Sequence, residues 1–162
     1  MGADIIILAV HVDDCALTGS SQKLIDEFKV QMNETYKISD LGAIHWLLGI
    51  KVTWDLPNHT ILLLQHAYIN SIILRYNFTD LKPSAFPMEP SAPLLKSQSP
   101  TKLADIAQMK NIPYQEAVDS LIYMAAMGTQ PDIAFAVSTV AQFSDNPGWP
   151  HWEAVKRIFR YL

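Results

Sequence analysis

Residues 5–19 read IIILAVHVDDCALTG, and this stretch decides the fold of the first part of the chain. The apolar, β-branched run at 5–10 is typical of a buried strand, and a second run at 15–18 resumes the strand pattern. The sequence therefore predicts a β-hairpin that carries Asp13 and Asp14 at its tip.

The two adjacent carboxylates at that tip are the sharpest chemical feature of the sequence. Side chains of neighbouring residues point to opposite faces of a regular strand, but at a hairpin tip Asp13 and Asp14 can both approach one site. A hard cation such as Mg²⁺ relieves their mutual repulsion, and Mg²⁺ is held by one or two carboxylates together with substrate phosphates. Taken alone, an Asp-Asp pair is more often a solvated polar turn between strands.

Periodicity predicts the elements that follow the hairpin. A Ser-Ser pair can cap a helix that should end near Tyr36. Every even position of residues 44–54 is apolar, which predicts one continuous strand, and residues 60–65 predict its hairpin partner. Apolar residues at helical spacing over residues 68–76 predict a second helix.

A segment rich in proline and serine, residues 82–101, separates this strand-rich part from a helical part. We interpret it as a linker or an extended crossing segment. Beyond it, the spacing of apolar residues predicts helices at four places: 102–110, 113–127, 131–143 and from about Pro150 onward. The predicted organisation is α+β with three parts, residues 1–81, 82–101 and 102–162.

Composition limits the class of protein. The chain has 162 residues, of which 49% are hydrophobic and 17% charged, so disorder throughout is excluded. A net charge of -4 argues against a simple phosphate-coating protein. One cysteine, Cys15, allows neither an intramolecular disulfide nor a Cys-rich zinc site and indicates a reducing compartment. We find no membrane span or signal peptide. The first predicted strand has no element before it and the last predicted helix has no terminating glycine or proline, so we expect a piece of a longer polyprotein.

The wider context of the Asp-Asp pair changes its interpretation. The hairpin resembles the aromatic-x-Asp-Asp hairpin in the palm of reverse transcriptases, specifically those of copia-type LTR retrotransposons. Further blocks follow in that family's order over nearly the whole chain. They are Ser39-Asp40-Leu41-Gly42, Trp46-Leu47-Leu48-Gly49-Ile50-Lys51-Val52, Lys82-Pro83 with Pro87-Met88-Glu89-Pro90, Tyr114-Gln115-Glu116-Ala117-Val118-Asp119-Ser120-Leu121-Ile122-Tyr123, Pro131-Asp132-Ile133-Ala134-Phe135-Ala136-Val137, and His151 to Leu162.

The resemblance implies a fold, a reaction and a metal. Residues 1–81 would be the C-terminal part of the palm with a primer-grip-like hairpin, and residues 102–162 a helical thumb and connection region. Asp13 and Asp14 would be two of three catalytic carboxylates that hold Mg²⁺ or Mn²⁺. The parent enzyme would bind an RNA or DNA template-primer and add deoxynucleoside triphosphates by nucleotidyl transfer.

The resemblance also assigns residues around the metal-binding pair. His11 stands where the family usually has a tyrosine against the primer terminus, and the thumb helix would follow the duplex. Lys37 is a candidate for the lysine near the incoming nucleotide, although a solvated charge at a helix end is its more common role. The primer-grip hairpin would include Trp46, Leu47, Leu48 and Gly49, although a tryptophan at an even strand position is more often a core residue.

Departures from the family lead us to expect no polymerase activity from this chain alone. The family supplies its third catalytic aspartate, and its fingers, upstream of the Asp-Asp hairpin, and its RNase H domain downstream. Asp119 and Gln130 stand where the family commonly has glycine and arginine, and both changes weaken a grip on phosphates.

The sequence also fits two other functions: a non-catalytic remnant that acts as a binding module, and a decayed copy with no selected role. We expect self-association of the isolated chain through exposed faces, no membrane partner, and an intracellular location, either cytoplasmic within virus-like particles or nuclear.

Overall fold

The computed structural model describes residues 4–89 and 91–162. It divides into two compact units, which meet in the sequence between Leu47 and Leu48. Strands and helices are mixed in the chain, with two small β-sheets and six α-helices among the described residues. The α+β class predicted from the sequence is therefore confirmed.

The first unit is built from the predicted hairpin and one helix. Strand β1 (Ile6–His11) pairs antiparallel with β2 (Asp14–Gly19), and helix α1 (Gln22–Thr35) follows. The hydroxyl of Ser21 caps α1 by accepting the Leu24 amide N–H at 3.3 Å. A Cβ at Gly19 would lie 3.2 Å from Ile25 Cγ1, so the hairpin and the helix pack closely at this position. Both predicted elements are confirmed.

The rest of the first unit is irregular until the short strand β3 (Trp46–Leu47). The predicted turn at residues 39–42 is present, since the carboxylate of Asp40 accepts the amide N–H of Gly42 at 2.9 Å and the ammonium of Lys29 at 2.8 Å. None of the described residues in this unit is buried.

The prediction of one strand over residues 44–54 is wrong, because the chain turns in the middle of this range. Strand β4 begins only at Ile50, and Leu48 and Gly49 before it both take positive φ, at 50° and 76°. Two successive left-handed residues turn the chain, so a continuous strand is impossible there. The predicted hairpin beyond this turn is confirmed: β4 (Ile50–Asp55) pairs antiparallel with β5 (Thr60–Leu64).

The hydrophobic core of the second unit lies between its helices. These are α2 (His66–Arg75), α3 (Leu103–Met109), α4 (Tyr114–Ala126), α5 (Ala134–Ala141) and α6 (Trp149–Tyr161), with 3₁₀ turns at Lys96–Gln98 and Pro131–Ile133. Its most buried side chains come from the apolar stripes that predicted the helices, and include Leu121, Met124, Ile133, Val140, Val155 and Ile158.

The segment rich in proline and serine is an extended crossing segment that contacts α6. The Ser84 amide donates to the Arg160 carbonyl at 2.8 Å, and Arg160 Nε donates to the Lys82 carbonyl at 2.6 Å. Further along, the imidazole of His151 contacts the Leu95 carbonyl at 3.2 Å. Helix α2, which precedes this segment, packs into the helical core of the second unit.

No helix in the described part of the chain is both long enough and apolar enough to cross a membrane.

Candidate functional site

The tip of the first hairpin holds the two adjacent carboxylates. Val12 and Asp13 form a two-residue turn, with Val12 at φ 53°, and Asp14 is the first residue of β2. His11, at the end of β1, pairs directly with Asp14. All four side chains at the tip are exposed. The local sequence therefore presents both carboxylates at one open end of the sheet.

The register of the hairpin fixes which face carries the chemistry. Paired residues in antiparallel strands share a face, so His11 and Asp14 lie side by side. Gly19 and Ile6 lie on the other face, because a Cβ at Gly19 would contact side chains of Ile6 and Ile25. Helix α1 thus covers part of one face, and His11 and Asp14 occupy the opposite one.

The donor chemistry of this tip fits Mg²⁺. Carboxylate oxygens are the ligands that Mg²⁺ and Mn²⁺ prefer, and Mg²⁺ commonly uses only one or two protein carboxylates. Within residues 4–89 and 91–162, no three His, Cys, Asp or Glu side chains are grouped so that they could hold a metal ion. Asp13 and Asp14 would therefore need further oxygen ligands from water, substrate phosphates or another carboxylate.

The candidate for the nucleotide-proximal lysine lies outside secondary structure. Lys37 follows Tyr36, which ends α1 in an extended conformation, and its side chain is exposed. Nearby, Lys29 is paired with Asp40, and this hydrogen bond, with that from Gly42, holds the pKa of Asp40 below its usual value. The role of Lys37 near a nucleotide stays a prediction.

The primer-grip candidates lie on both sides of the turn between β3 and β4. Trp46 is 57% exposed, so it is not the core residue that its even position favours. Leu47 and Leu48 are half-buried and Gly49 is exposed. A leucine in the left-handed region costs about 1 kcal/mol, whereas glycine adopts it freely. The turn is therefore held in its shape by contacts elsewhere.

Sequence reasoning missed a residue that contacts this turn. Tyr123, on α4, donates its hydroxyl to the carbonyl of Leu48 at 2.8 Å. Its ring packs on that of Tyr68, with centroids 5.0 Å apart. The sequence placed Tyr123 within a predicted helix but gave no signal of its partner, which lies 75 residues away.

The basic cluster at the chain's last helix is used for packing. Arg157 pairs with Glu89 at 3.1 Å, and Lys156 lies over the ring of Trp149, 5.5 Å from its centroid. Arg160 binds a backbone carbonyl of the crossing segment, as described above. These contacts explain the cluster without a nucleic-acid partner.

The two residues that depart from the family's pattern differ in their exposure to solvent. Asp119 is exposed on α4, and Gln130 is half-buried and precedes the 3₁₀ turn that leads into α5. The same 3₁₀ turn holds Asp132, whose carboxylate accepts a hydrogen bond from the hydroxyl of Tyr161; this bond raises the pKa of that hydroxyl.

The observed order, a hairpin with two adjacent carboxylates at its tip and then a helix and a second hairpin, agrees with the resemblance to reverse transcriptases. The family model described as reverse transcriptase (RNA-dependent DNA polymerase) matches residues 1–90. The chain belongs to this family.

Similar proteins are polyproteins of copia-type transposons. The chain is 38% identical over 97% of its length to the Retrovirus-related Pol polyprotein from transposon TNT 1-94 of Nicotiana tabacum. It is 35% identical over 99% of its length to the corresponding polyprotein from transposon RE1 of Arabidopsis thaliana. A putative transposon Ty5-1 protein of Saccharomyces cerevisiae is 32% identical over 97% of the chain. The copia-type resemblance is thus confirmed.

The chain spans only part of each of these relatives: 12% of the tobacco polyprotein, 10% of the Arabidopsis polyprotein and 48% of the yeast protein. No solved structure matches the chain.

Proposed function

We propose that this chain is a segment of a copia-type reverse transcriptase whose hairpin supplies two metal-binding carboxylates for nucleotidyl transfer. The observation that carries the proposal is the exposed hairpin tip, where Asp13 and Asp14 follow one another next to His11. Membership of the reverse transcriptase family supports this role for the pair. The substrates of the parent enzyme are a template-primer of RNA or DNA and deoxynucleoside triphosphates.

In this proposal the residues of the tip bind the metal and contact the primer. Asp13 and Asp14 would hold Mg²⁺ or Mn²⁺, and the metal would supply Lewis-acid stabilisation of negative charge at the primer 3′-hydroxyl and the leaving pyrophosphate. His11 shares a face with Asp14, so its ring can lie flat against the last base of the primer. The tight turn at Val12 and Asp13 fixes the two carboxylates relative to the strands.

Residues further along the chain contact the primer and the nucleotide in this proposal. Residues 1–81 belong to the palm, Trp46, Leu47, Leu48 and Gly49 contact the primer strand, and Lys37 lies near the incoming nucleotide. Helix α4 is the thumb helix. Within the cell, the parent polyprotein acts in cytoplasmic virus-like particles or in the nucleus.

Metal binding by the tip can be measured on the 162-residue chain itself. Mn²⁺ is paramagnetic and broadens the resonances of residues near its site even when binding is weak. We expect the amide signals of residues 11–15 to broaden first on titration with Mn²⁺, and Asp13→Asn/Asp14→Asn to abolish this effect.

A matched control is available on α1. Asp26 and Glu27 are also adjacent, exposed carboxylates, and Asp26→Asn/Glu27→Gln removes the same charge. The control variant should leave broadening at the tip intact. Equal broadening along the whole chain, or an unchanged pattern in the Asp13/Asp14 variant, would refute the metal site.

We further propose that this chain alone does not polymerise. Among the described residues no third ligand joins Asp13 and Asp14, and two carboxylates alone position neither metal nor nucleotide well. Primer extension with Mg²⁺ or Mn²⁺ should give no template-dependent product, and incorporation by the purified chain would overturn this part.

A non-catalytic binding module is the second proposal, and one observation favours it. The buried core lies wholly within residues 48–162, so this unit has a core that does not depend on the carboxylate hairpin. A chain that keeps its fold and shows no Mn²⁺ effect at Asp13 and Asp14 would support the binding module over the metal-binding segment.

A further inference from the structure

The turn at Leu48 and Gly49 has an unfavourable backbone and a specific support. Leu48 has φ 50°, a conformation that a leucine rarely adopts. Gly49 has φ 76°, and a Cβ there would lie 3.6 Å from the hydroxyl of Tyr123, which is an ordinary contact distance. The constraint at this turn is therefore its backbone conformation rather than lack of space.

The support comes from α4. Tyr123 is 38% exposed, yet its hydroxyl donates to the Leu48 carbonyl at 2.8 Å. Its ring packs against Tyr68 of α2, whose hydroxyl in turn donates to the Ser120 carbonyl at 3.1 Å. The packing of the two rings thus fixes the position of the Tyr123 hydroxyl, and that hydroxyl binds the strained residue of the turn.

We propose that Tyr123 is a positioning residue, whose hydroxyl holds Leu48 in the left-handed conformation and so sets the backbone that this turn presents to a primer strand. The part that concerns the primer rests on the function proposed above. A movement of α4 would pull on the Leu48 carbonyl through the same hydrogen bond, so the thumb-like helix and the turn would move together.

The conformation of Leu48 can be read directly by NMR, because a positive φ brings the amide proton close to its own Hα and gives a strong nuclear Overhauser effect. In Tyr123→Phe, loss of one hydrogen bond should lower the ratio of left-handed to extended Leu48 about fivefold. Tyr68→Phe is the matched control. It also removes one tyrosine hydroxyl bonded to a backbone carbonyl, but it should leave Leu48 unchanged.

A second variant separates positioning from general loss of stability. Leu48→Asn in the Tyr123→Phe background should restore the left-handed population, because asparagine visits this region more readily than leucine. An unchanged Leu48 signal in Tyr123→Phe, or an equal loss in Tyr68→Phe, would overturn the proposal.

Addition of a primer-template duplex tests the function of the turn separately. We expect resonances of residues 46–49 to shift with the duplex in the original chain and in Tyr68→Phe, and to shift less in Tyr123→Phe. Absence of any shift in the original chain would overturn the proposed primer contact. The conformation of Leu48 without nucleic acid decides the role of Tyr123 independently.

Discussion

Replacement of His151 by phenylalanine should destabilise the second unit by about 3 kcal/mol. His151 is fully buried and stacks on Phe143 with ring centroids 4.0 Å apart. Its Nδ1 accepts the Gly148 amide N–H at 2.8 Å, which caps the first turn of α6, and its Nε2 contacts the Leu95 carbonyl at 3.2 Å.

The magnitude follows from the two hydrogen bonds that the imidazole makes. Phenylalanine keeps the stacked ring but cannot bond to Gly148 or Leu95. The Gly148 amide N–H is left buried and unsatisfied, which costs about 2 kcal/mol. The Leu95 carbonyl still accepts the Gln98 amide N–H at 3.0 Å, so there only one hydrogen bond is lost, at about 1 kcal/mol, and the two losses together come to roughly 3 kcal/mol. With a urea m-value of about 2 kcal/mol/M, the midpoint of unfolding should fall by roughly 1.5 M.

Two further variants test this reasoning group by group. His151→Asn can still accept the Gly148 amide N–H, and His151→Gln can still reach the Leu95 carbonyl, so each should recover part of the loss. His66→Ala is the control, because His66 is exposed and its replacement should change stability by less than about 0.5 kcal/mol. A midpoint for His151→Phe equal to that of the control would refute the argument.

The pH dependence of stability gives an independent check on His151. Burial lowers the pKa of its imidazole from the ordinary 6.5, an effect that the hydrogen bond with Leu95 partly offsets. As pH falls, His151 therefore becomes protonated at a higher pH in the unfolded chain than in the folded chain. The contribution of neutral His151 to stability is present above about pH 6.5 and is lost as the pH falls below that value. Because His151→Phe has no such group, its stability deficit should shrink between about pH 7 and pH 5; a constant deficit would contradict this.

Three further replacements test the packing of the second unit by urea denaturation. Gly148→Ala should lower the free energy of unfolding by at least about 2 kcal/mol, because a Cβ there would lie 2.1 Å from the backbone oxygen of Gln98. An unchanged midpoint would show that the crossing segment can move away from the new methyl group at no cost. Leu121→Ala should cost about 3 kcal/mol, since this side chain is fully buried, and a loss under 1 kcal/mol would mean a loose core. Tyr114→Phe removes a buried hydrogen bond to Val140 and should cost about 1 kcal/mol; a stabilised variant would contradict this.

Local sequence signals predicted the elements that depend on neighbouring residues. The hairpin at residues 5–19 and the helix capped at Ser21 follow from alternation, turn position and an N-cap, and all three act within a few residues. The helices of the second unit follow from apolar stripes, because one buried face is enough to define them.

The features that sequence reasoning missed depend on distant contacts or on backbone conformation. Leu48 fits the apolar alternation of a strand, and only its left-handed φ shows that the chain turns there. Its carbonyl accepts the hydroxyl of Tyr123, a residue far away in sequence. The partners of Arg157 and Arg160, a carboxylate and a backbone carbonyl, lie far away in sequence, so local spacing gives no signal of these contacts.

For the candidate site, the sequence placed Asp13, Asp14 and His11 together, because all three lie within one tight turn and its flanking strands. Within the part of the chain that the structure describes, no third His, Cys, Asp or Glu side chain joins Asp13 and Asp14 in a metal-binding group. The roles of Lys37 and of Trp46, Leu47, Leu48 and Gly49 stay predictions, since they depend on a nucleic acid and a nucleotide.

The crossing segment has a consequence for how the chain folds during synthesis. The Arg160 side chain is hydrogen-bonded to the Lys82 carbonyl, 78 residues earlier in the sequence, and the Ser84 amide is hydrogen-bonded to the Arg160 carbonyl. At roughly 5–20 residues per second, a ribosome needs about 4–16 s to make the chain between them. Until α6 emerges, the apolar faces of α2 and α4 lack their last partner. The second unit therefore completes its folding late, and a nascent chain stalled before α6 would be a natural target for chaperones.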